Sequence, residues 1–230
     1  LCCLLKKMQR KVIITADGSS SIYLPEWEEH YHSKHGAIQE AMHVFIQNGL
    51  GSVSNSSGLP LRVFEMGLGT GLNALLSYQY AKENAIEIIY SGIEAYPVEK
   101  ELYSKMNYIE KIGVDYEDFF HWMHDLKWGG HERYDDHFTL RKIHLDLEDL
   151  VPELSNYDLV YYDAFGPRAQ SEMWEMDKLE KMFSLLKTNG KLITYCAQGQ
   201  FKRNLKQIGF DVVALPGPPG KREMTVAIKL

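Results

Sequence analysis

Cysteine and long apolar runs are both scarce in this sequence. Its 230 residues include only three cysteines, of which Cys2 and Cys3 are adjacent and Cys196 is distant, so they cannot form a disulfide framework. No stretch approaches the roughly 18 consecutive apolar residues that a membrane-spanning helix requires. The opening run Leu1–Leu5 is too short for an anchor and has no cleavage-like sequel. These absences predict a protein of the reducing cytoplasm that does not associate with membranes.

The chain also lacks a surplus of positive charge. Its 25 Lys and Arg residues against 31 Asp and Glu residues give a net charge of −6, which argues against a protein that coats nucleic acid in general. The charge is uneven, because residues 165–230 carry a net +5 and residues 1–164 a net −11. A basic C-terminal part can present a cationic face to a polyanion, although accidental asymmetry explains the same counts.

Periodicity in the sequence predicts an α/β fold. The Gly- and Ser-rich stretch Gly49–Pro60 divides the chain into an N-terminal extension, residues 1–58, and a larger domain, residues 59–230. The extension should contain a β-hairpin around Asp17-Gly18 and one helix. In the larger domain, strand-like and helix-like segments alternate, which predicts a Rossmann-like, mostly parallel sheet covered on both faces, with an antiparallel pair of strands at the end.

The segments of the larger domain have these predicted limits. The strands are Leu61–Met66, Ile86–Ile93, Phe138–Leu145, Tyr157–Tyr162, Lys191–Cys196, Phe210–Leu215 and Met224–Ile228, and the helices are Leu72–Lys82, Pro97–Ile112, Asp118–Leu126, Met173–Leu186 and Phe201–Ile208. Ligands of such sheets bind beyond the carboxyl ends of the strands, so the residues that follow each strand are the candidates for a site.

A glycine-rich loop follows the first of these strands. The strand ends in Glu65-Met66, and the loop contains Gly67, Gly69 and Gly71 before Asn73. Glycines let a backbone approach a ligand closely. A dinucleotide loop has a different glycine spacing and binds a pyrophosphate, which the carboxylate of Glu65 would repel. The combination suits S-adenosylmethionine, a cationic ligand without phosphates, although a purely structural turn is the alternative.

Three later strands also end in a carboxylate. Glu94 is placed to accept hydrogen bonds from the hydroxyls of a ribose, as acidic residues do in dinucleotide folds. Asp146 is placed to bind an adenine amino group. Asp163 follows the buried run that ends in Tyr162, where a carboxylate can hold, orient or deprotonate an amine nucleophile. Each acid alone could be an exposed residue at a strand end, and Asp163 could simply cap a turn, but their succession favours a nucleoside ligand.

Several short motifs occur along the chain in a fixed order. They are Asp17-Gly18-Ser19, His30-Tyr31-His32-Ser33, Gln39-Glu40, Val44-Phe45, the segment 65–73, the segment 163–167, Glu172-Met173-Trp174 and Lys221-Arg222-Glu223-Met224. From about Asp17 to its end, the chain with these motifs resembles the methyltransferase domain of one enzyme family, the bacterial enzymes that make 5-methylaminomethyl-(2-thio)uridine at the tRNA wobble position.

The resemblance implies an S-adenosylmethionine-dependent N-methyltransferase that acts on the 5-aminomethyl group of a uridine in the tRNA anticodon loop, without a metal. It implies a functional link to the enzymes that install the aminomethyl precursor. Asp163 is the catalytic candidate, to bind the ammonium and accept its proton. The cofactor candidates are Glu65, Gly67, Gly69, Gly71, Asn73, Glu94 and Asp146. The substrate candidates are Tyr31 and Phe165 for stacking on the base, Glu40, and Arg168, Lys221 and Arg222 for phosphates.

Two departures from the family's pattern stand out. Its bifunctional members carry a second, flavin-dependent oxidase domain, whereas this sequence ends soon after Lys221-Arg222, so we expect the stand-alone form without a flavin. Ala164 and Gly166 stand where many relatives have other small residues. The segment Leu1–Lys11 has no counterpart in the family's pattern.

Other functions are weighed against this one. A transferase acting on a small amine or polyamine shares the glycine loop and the fourth acid but does not explain the basic C-terminal part. A non-catalytic RNA-binding protein on a methyltransferase fold would be expected to lose the acids at the strand ends. A nicotinamide oxidoreductase would need another loop spacing.

His30, His32 and His35 could suggest a metal, but no cysteine pair accompanies them. Cys196 follows an apolar strand and is more typical of a core residue than of a nucleophile.

Overall fold

A computed structural model describes residues 8–53, 59–152 and 156–230 of the protein. Cys2, Cys3 and the run Leu1–Leu5 lie outside the described residues, as do residues 54–58 of the predicted loop. The predicted domain boundary at residues 58 and 59 falls at the edge of that gap and stays a prediction. In the described part of the chain, no helix is both long enough and apolar enough to span a bilayer.

Among the described residues, the main sheet has eight strands and is parallel at its centre. The strands are β4 (Leu61–Met66), β5 (Ile88–Glu94), β6 (His131–Arg133), β7 (Phe138–His144), β8 (Tyr157–Tyr162), β9 (Leu186–Thr194), β10 (Phe210–Pro216) and β11 (Glu223–Lys229). Their order is β10-β11-β9-β8-β4-β5-β7-β6. Strands β9, β8, β4, β5 and β7 are parallel, whereas β10, β11 and β6 pair antiparallel at the two edges. The predicted fold class is therefore confirmed.

Helices cover both faces of this sheet. They are α2 (Leu72–Glu83), α3 (Lys100–Tyr103), α4 (Tyr108–Ile112), α5 (Glu117–Asp125), α6 (Met176–Leu185) and α7 (Gly199–Ile208), after α1 (Ala37–Ala41), which continues as the π-helical segment Met42–Gln47. Alternate side chains of β4 enter opposite cores: Val63 packs in one cluster and Phe64 in the other. Burial on both faces explains why the central strands are nearly continuous apolar runs.

The N-terminal segment forms a separate antiparallel sheet. Its strands are β1 (Lys11–Ile14), β2 (Ser20–Leu24) and β3 (Glu29–His30), in that order. The β1–β2 turn caps helix α1, because Asp17 Oδ2 accepts a hydrogen bond from the Gln39 amide at 3.0 Å and Ser19 Oγ accepts from the Ala37 amide at 3.2 Å. The cap fixes α1 beside the carboxyl end of the main sheet.

One predicted helix is interrupted in the structure. The prediction of a helix over Pro97–Ile112 is wrong between α3 and α4, where Asn107 turns its polar groups to the N-terminal sheet. The Asn107 amide donates to Ser20 Oγ at 2.9 Å, and its side chain accepts from the Ser20 amide at 2.8 Å and donates to the Gly18 carbonyl at 2.9 Å. These hydrogen bonds replace the intrahelical ones and tie the two sheets together.

Candidate active site

A cavity of about 400 Å³ lies beyond the carboxyl ends of the central strands. Strand β4 has β5 on one side and β8 on the other, so the order in which the chain adds strands to the sheet reverses at β4. Such a reversal point is the usual ligand position in these sheets. The N-terminal segment closes the opposite wall. Of the predicted site residues, the cavity is lined by Tyr31, Glu40, Glu65, Gly67, Gly69, Asn73, Glu94, Asp146, Asp163, Phe165 and Lys221.

The glycine loop needs its glycines for two different reasons. Gly67 has φ +91°, and a Cβ there would lie 2.8 Å from the backbone oxygen of Asp163. Gly69 also has a positive φ and donates its amide to Glu94 Oε2 at 3.0 Å. Gly71 does not line the cavity: it begins α2, and a Cβ there would lie 2.4 Å from the Met123 side chain. Gly67 and Gly69 thus shape the cavity, and Gly71 serves packing behind it.

One amide joins two of the predicted acids. Asn73 Nδ2 donates to Glu65 Oε1 at 2.8 Å and to Asp163 Oδ2 at 2.9 Å. Glu65 is fully buried, and its Oε2 has no hydrogen-bond partner among the described residues. The Tyr90 hydroxyl faces this carboxyl without meeting hydrogen-bond geometry. Burial holds the pKa of Glu65 well above its ordinary value, against the effect of the Asn73 hydrogen bond. Such an orphaned oxygen favours a ligand that brings a positive charge and donors.

Asp163 has an unusual pKa for an aspartate. Burial, followed by the negative charge of Glu40, raises the pKa of Asp163 to about 7, whereas the Asn73 hydrogen bond and the Lys221 charge act in the opposite direction. Its side chain remains partly accessible from the cavity. A carboxyl group with this pKa can exchange a proton near neutral pH, so it is a better base than an ordinary aspartate.

Glu94 and Asp146 lie along the same edge of the cavity. Glu94 Oε1 accepts from the Tyr96 amide at 2.9 Å, which fixes the carboxylate in addition to its bond from Gly69. Asp146 Oδ1 accepts from the Glu148 amide at 3.0 Å and caps a short 3₁₀ turn. Asp146 therefore caps a turn and also lines the cavity.

Aromatic rings form the rim of the cavity. Phe165 packs edge-to-face on Tyr31, with ring centroids 5.1 Å apart, and on Trp27, at 5.7 Å. The loop that carries Phe165 is held by Trp174 Nε1, which donates to the Phe165 carbonyl at 2.8 Å. Trp27 was not predicted from the sequence, because only the fold of the β2–β3 turn brings it to this rim.

Glu40 and Lys221 meet inside the cavity, although the chain separates them widely. Glu40 is buried, Lys221 Nζ forms an ion pair with its Oε1, and the same Nζ lies 3.8 Å from the centroid of the Tyr195 ring. Tyr195 was not among the predicted residues. Its position after strand β9, at the carboxyl end of the sheet, was the signal that could have identified it.

Two predicted substrate residues do not line the cavity. Arg168 is exposed and forms an ion pair with Glu29 at 3.0 Å, which links the loop after Asp163 to the N-terminal sheet. Arg222 is exposed beside Lys221. Both are placed where a ligand larger than the cavity could reach them.

The histidines of the N-terminal segment have separate environments. His32 packs against Tyr108, its Nδ1 lies 3.0 Å from Ser21 Oγ, and burial lowers its pKa to about 4. His35 is exposed. Across the described ranges, no three His, Cys, Asp or Glu side chains are grouped as metal ligands. Cys196 is buried, and burial raises the pKa of its thiol.

The cavity fits S-adenosylmethionine in its donor and acceptor pattern. The orphaned Glu65 oxygen suits the ammonium of the methionine part, and Glu94 and Asp146 offer carboxylates for ribose and adenine. At Gly67 and Gly69, the backbone faces the cavity without an intervening side chain. A volume of about 400 Å³ lies within the usual range of about 300–1,000 Å³ for sites that bind small molecules.

Comparisons with known proteins agree with this geometry. A family model described as S-adenosyl-L-methionine-dependent methyltransferase matches residues 120–230. Over these residues the chain is thus similar to the S-adenosyl-L-methionine-dependent methyltransferases. It is also similar to the methyltransferase part of the MnmC proteins, so the resemblance predicted from the motifs is confirmed.

Three relatives document the similarity. The chain is 28% identical, over 94% of its length, to the tRNA 5-methylaminomethyl-2-thiouridine biosynthesis bifunctional protein MnmC of Cupriavidus necator. It is 29% identical, over the same share, to the protein of that name from Cupriavidus metallidurans. It covers 34% and 33% of these relatives, about a third of their length. A crystal structure of MNMC2 from Aquifex aeolicus has the same fold, with a TM-score of 0.76 and 20% identity over 96% of this chain and 70% of that one.

Proposed function

We propose that the protein transfers a methyl group from S-adenosylmethionine to the primary amine of a 5-aminomethyl-(2-thio)uridine at the wobble position of tRNA. The product is 5-methylaminomethyl-(2-thio)uridine. The observation that carries this proposal is the single Asn73 amide that donates to both Glu65 and Asp163. This amide places Glu65, the acid suited to the methyl donor, directly beside Asp163, the acid suited to an amine acceptor. The names of the similar MnmC proteins supply the identity of the acceptor.

The cofactor would contribute only the methyl group to this reaction. When bound, S-adenosylmethionine supplies a methyl group on an electrophilic sulfonium, so transfer requires only an aligned neutral amine and the exclusion of water. Glu65 and Asn73 would hold the donor's amino acid part, and Glu94 and Asp146 its nucleoside. These residues, together with Gly67 and Gly69, are the proposed cofactor site; Gly71 contributes through packing.

Asp163 is the proposed catalytic residue. Its carboxylate would hold the acceptor's ammonium and accept a proton at Oδ1 or Oδ2, which leaves the amine nitrogen with a free lone pair. An alkylamine has a pKa of roughly 10, so a carboxyl with a pKa of about 7 is closer to a match than an ordinary aspartate. Positioning of the nitrogen remains an equal part of its role.

The rim would bind the rest of the substrate. Tyr31 and Phe165 provide ring faces and edges for an unstacked uridine base, as is usual for bases of single-stranded loops. Arg168 and Arg222 are exposed on the side of the cavity mouth and would contact phosphates of the anticodon loop. A tRNA substrate would place the protein in the cytoplasm, downstream of the enzymes that install the aminomethyl group.

The test is methylation of tRNA that lacks this modification. The protein is incubated with methyl-labelled S-adenosylmethionine and total tRNA from a bacterial strain blocked at this step, and the nucleosides are then separated and identified by mass. We expect label in 5-methylaminomethyl-(2-thio)uridine, and none with tRNA from the unblocked strain or with Asp163→Ala. Transfer to spermidine or putrescine but not to tRNA would instead support the small-amine alternative.

A further inference from the structure

The side chain of Lys221 points into the cavity and not toward the surface where a phosphate would bind. Its Nζ pairs with Glu40 Oε1 and lies over the Tyr195 ring, 3.8 Å from the centroid. The Glu40 side chain is 9% exposed and that of Lys221 is 33% exposed. A carboxylate at the side and an aromatic face below are the usual elements of a site that recognises an alkylammonium ion.

The groups that receive this ammonium are held independently of Lys221. Glu40 Oε2 accepts a hydrogen bond from the Ser33 amide at 2.7 Å. The Tyr195 hydroxyl donates to the Ala164 carbonyl at 2.6 Å, directly next to Asp163 in the chain. Because both partners are fixed by other bonds, the site would persist if the lysine moved away.

Lys221 itself lies in a turn outside the strands of the sheet. The turn lies between β10 and β11 and is closed by the Lys221 amide, which donates to the Pro218 carbonyl at 2.9 Å, and by the Gly217 amide, which donates to the Arg222 carbonyl at 3.2 Å. Gly220 has φ +84°. The lysine reaches the cavity through four flexible methylene groups.

We propose that Glu40 and Tyr195 form the binding site for the acceptor's primary alkylammonium, and that Lys221 occupies this site as a tethered surrogate until the acceptor displaces it. The inference rests on the proposed function and specifies its acceptor side. Asp163 then lies next to the site, because it directly precedes Ala164, whose carbonyl anchors Tyr195. In the free protein, Lys221 neutralises Glu40, so this buried carboxylate does not stay unpaired.

Two kinds of ligand could bring a primary ammonium group to this site. A primary ammonium can arrive on the aminomethyl group of a tRNA base or on a free polyamine. Both would compete with Lys221 for Glu40 and the face of Tyr195. The first part of the test therefore measures the ammonium site alone, and the second part distinguishes the sources.

The first experiment uses butylammonium, which reproduces the end of a lysine side chain. Calorimetric titration of Lys221→Met should show butylammonium binding at least about tenfold tighter than in the wild-type protein, because a tethered competitor acts at an effective concentration in the millimolar range. Adding Glu40→Gln to Lys221→Met should abolish that binding. Neutral butanol should not bind. Equal affinities of the wild type and Lys221→Met, or no binding to either, would overturn the inference.

A matched control uses another lysine that pairs with a nearly buried carboxylate. Lys187 pairs with Asp158, whose side chain is 7% exposed, at the start of β8 and so at the far end of the sheet from the cavity. Lys187→Met should leave butylammonium affinity unchanged. Should Lys221→Met fail to fold, Lys221→Ala provides the same test, with its thermal stability recovered by butylammonium and not by butanol.

The second experiment separates the sources by steady-state kinetics. With aminomethyl-bearing tRNA as acceptor, Glu40→Gln should raise KM by about tenfold or more, and Lys221→Met should lower KM or leave it unchanged. A raised KM in Lys221→Met with a shallower salt dependence would show that the lysine binds phosphate, and would overturn the surrogate role. If no variant or wild type methylates tRNA while Lys221→Met binds butylammonium and methylates spermidine, the ammonium site stands and the tRNA proposal fails.

Discussion

Replacement of Asp163 by asparagine tests the electrostatics of the site without removing its contacts. The asparagine oxygen can accept the hydrogen bond that Asn73 donates to Asp163, at 2.9 Å in the wild type. The variant side chain therefore has the shape of the protonated, neutral Asp163 side chain and cannot ionise. We expect it to be more stable than the wild type at pH 8 and within about 1 kcal/mol of it at pH 4, where little of the effect remains.

The size of the effect follows from the pKa. The folded-state pKa of Asp163 is about 7, against an ordinary value of 3.8. Because the folded pKa is raised, this group's contribution to stability is fully present below pH 3.8 and is lost as the pH rises through about 7. At about 1.4 kcal/mol per pKa unit, the upper limit is about 4 kcal/mol. Water in the cavity screens a partly accessible carboxylate, so a measured difference between about 1 and 4 kcal/mol at pH 8 agrees with the structure.

Urea unfolding of the ligand-free protein at pH 4, 6 and 8 measures this difference. The gain in unfolding free energy for Asp163→Asn should grow with pH, and the rate of methyl transfer should fall by about 10²- to 10⁴-fold, with affinity for S-adenosylmethionine within a few-fold of the wild type. A difference in stability that does not depend on pH would refute the assigned pKa. A fully active variant would remove Asp163 from the mechanism.

Three further predictions concern the cofactor site and the rim. Gly67→Ala should cost about 1–3 kcal/mol of unfolding free energy and abolish calorimetric binding of S-adenosylmethionine, because its φ is +91° and its Cβ would meet the Asp163 carbonyl; normal affinity would contradict this. Binding of S-adenosylmethionine near neutral pH should release up to about one proton from Glu65, detected as a dependence of the binding enthalpy on the buffer, and Glu65→Gln should lose that dependence. Arg222→Ala should reduce the salt dependence of tRNA binding by about one unit of slope, whereas Lys221→Met should not.

The sequence predicted the parts of the site that depend on strand ends. Buried apolar runs located β4 and β8 at their observed limits, Leu61–Met66 and Tyr157–Tyr162. Since parallel strands end at the same edge, carboxylates after successive strands had to converge, as Glu65 and Asp163 do through Asn73. This inference needed only periodicity and topology.

Contacts between distant parts of the chain could not be predicted in the same way. Asn107 interrupts a helical pattern because it bonds to Ser20, 87 positions away. Lys221 appears in the sequence as one half of a basic pair, and only the position of the β10–β11 turn directs it to Glu40, 181 positions away. Strand β3 has two residues, too few for any periodic signal.

The cap on helix α1 has a consequence for how the protein could diversify. Asp17 and Ser19 fasten the wall that carries Glu40, while the glycine loop is part of the main sheet. The N-terminal segment thus supplies Tyr31 and Glu40 to the cavity, whereas Asp163 and Tyr195 follow strands of the main sheet. Exchange of this segment between related proteins should therefore change one wall of the cavity, and with it the choice of the proposed acceptor, while the glycine loop is retained.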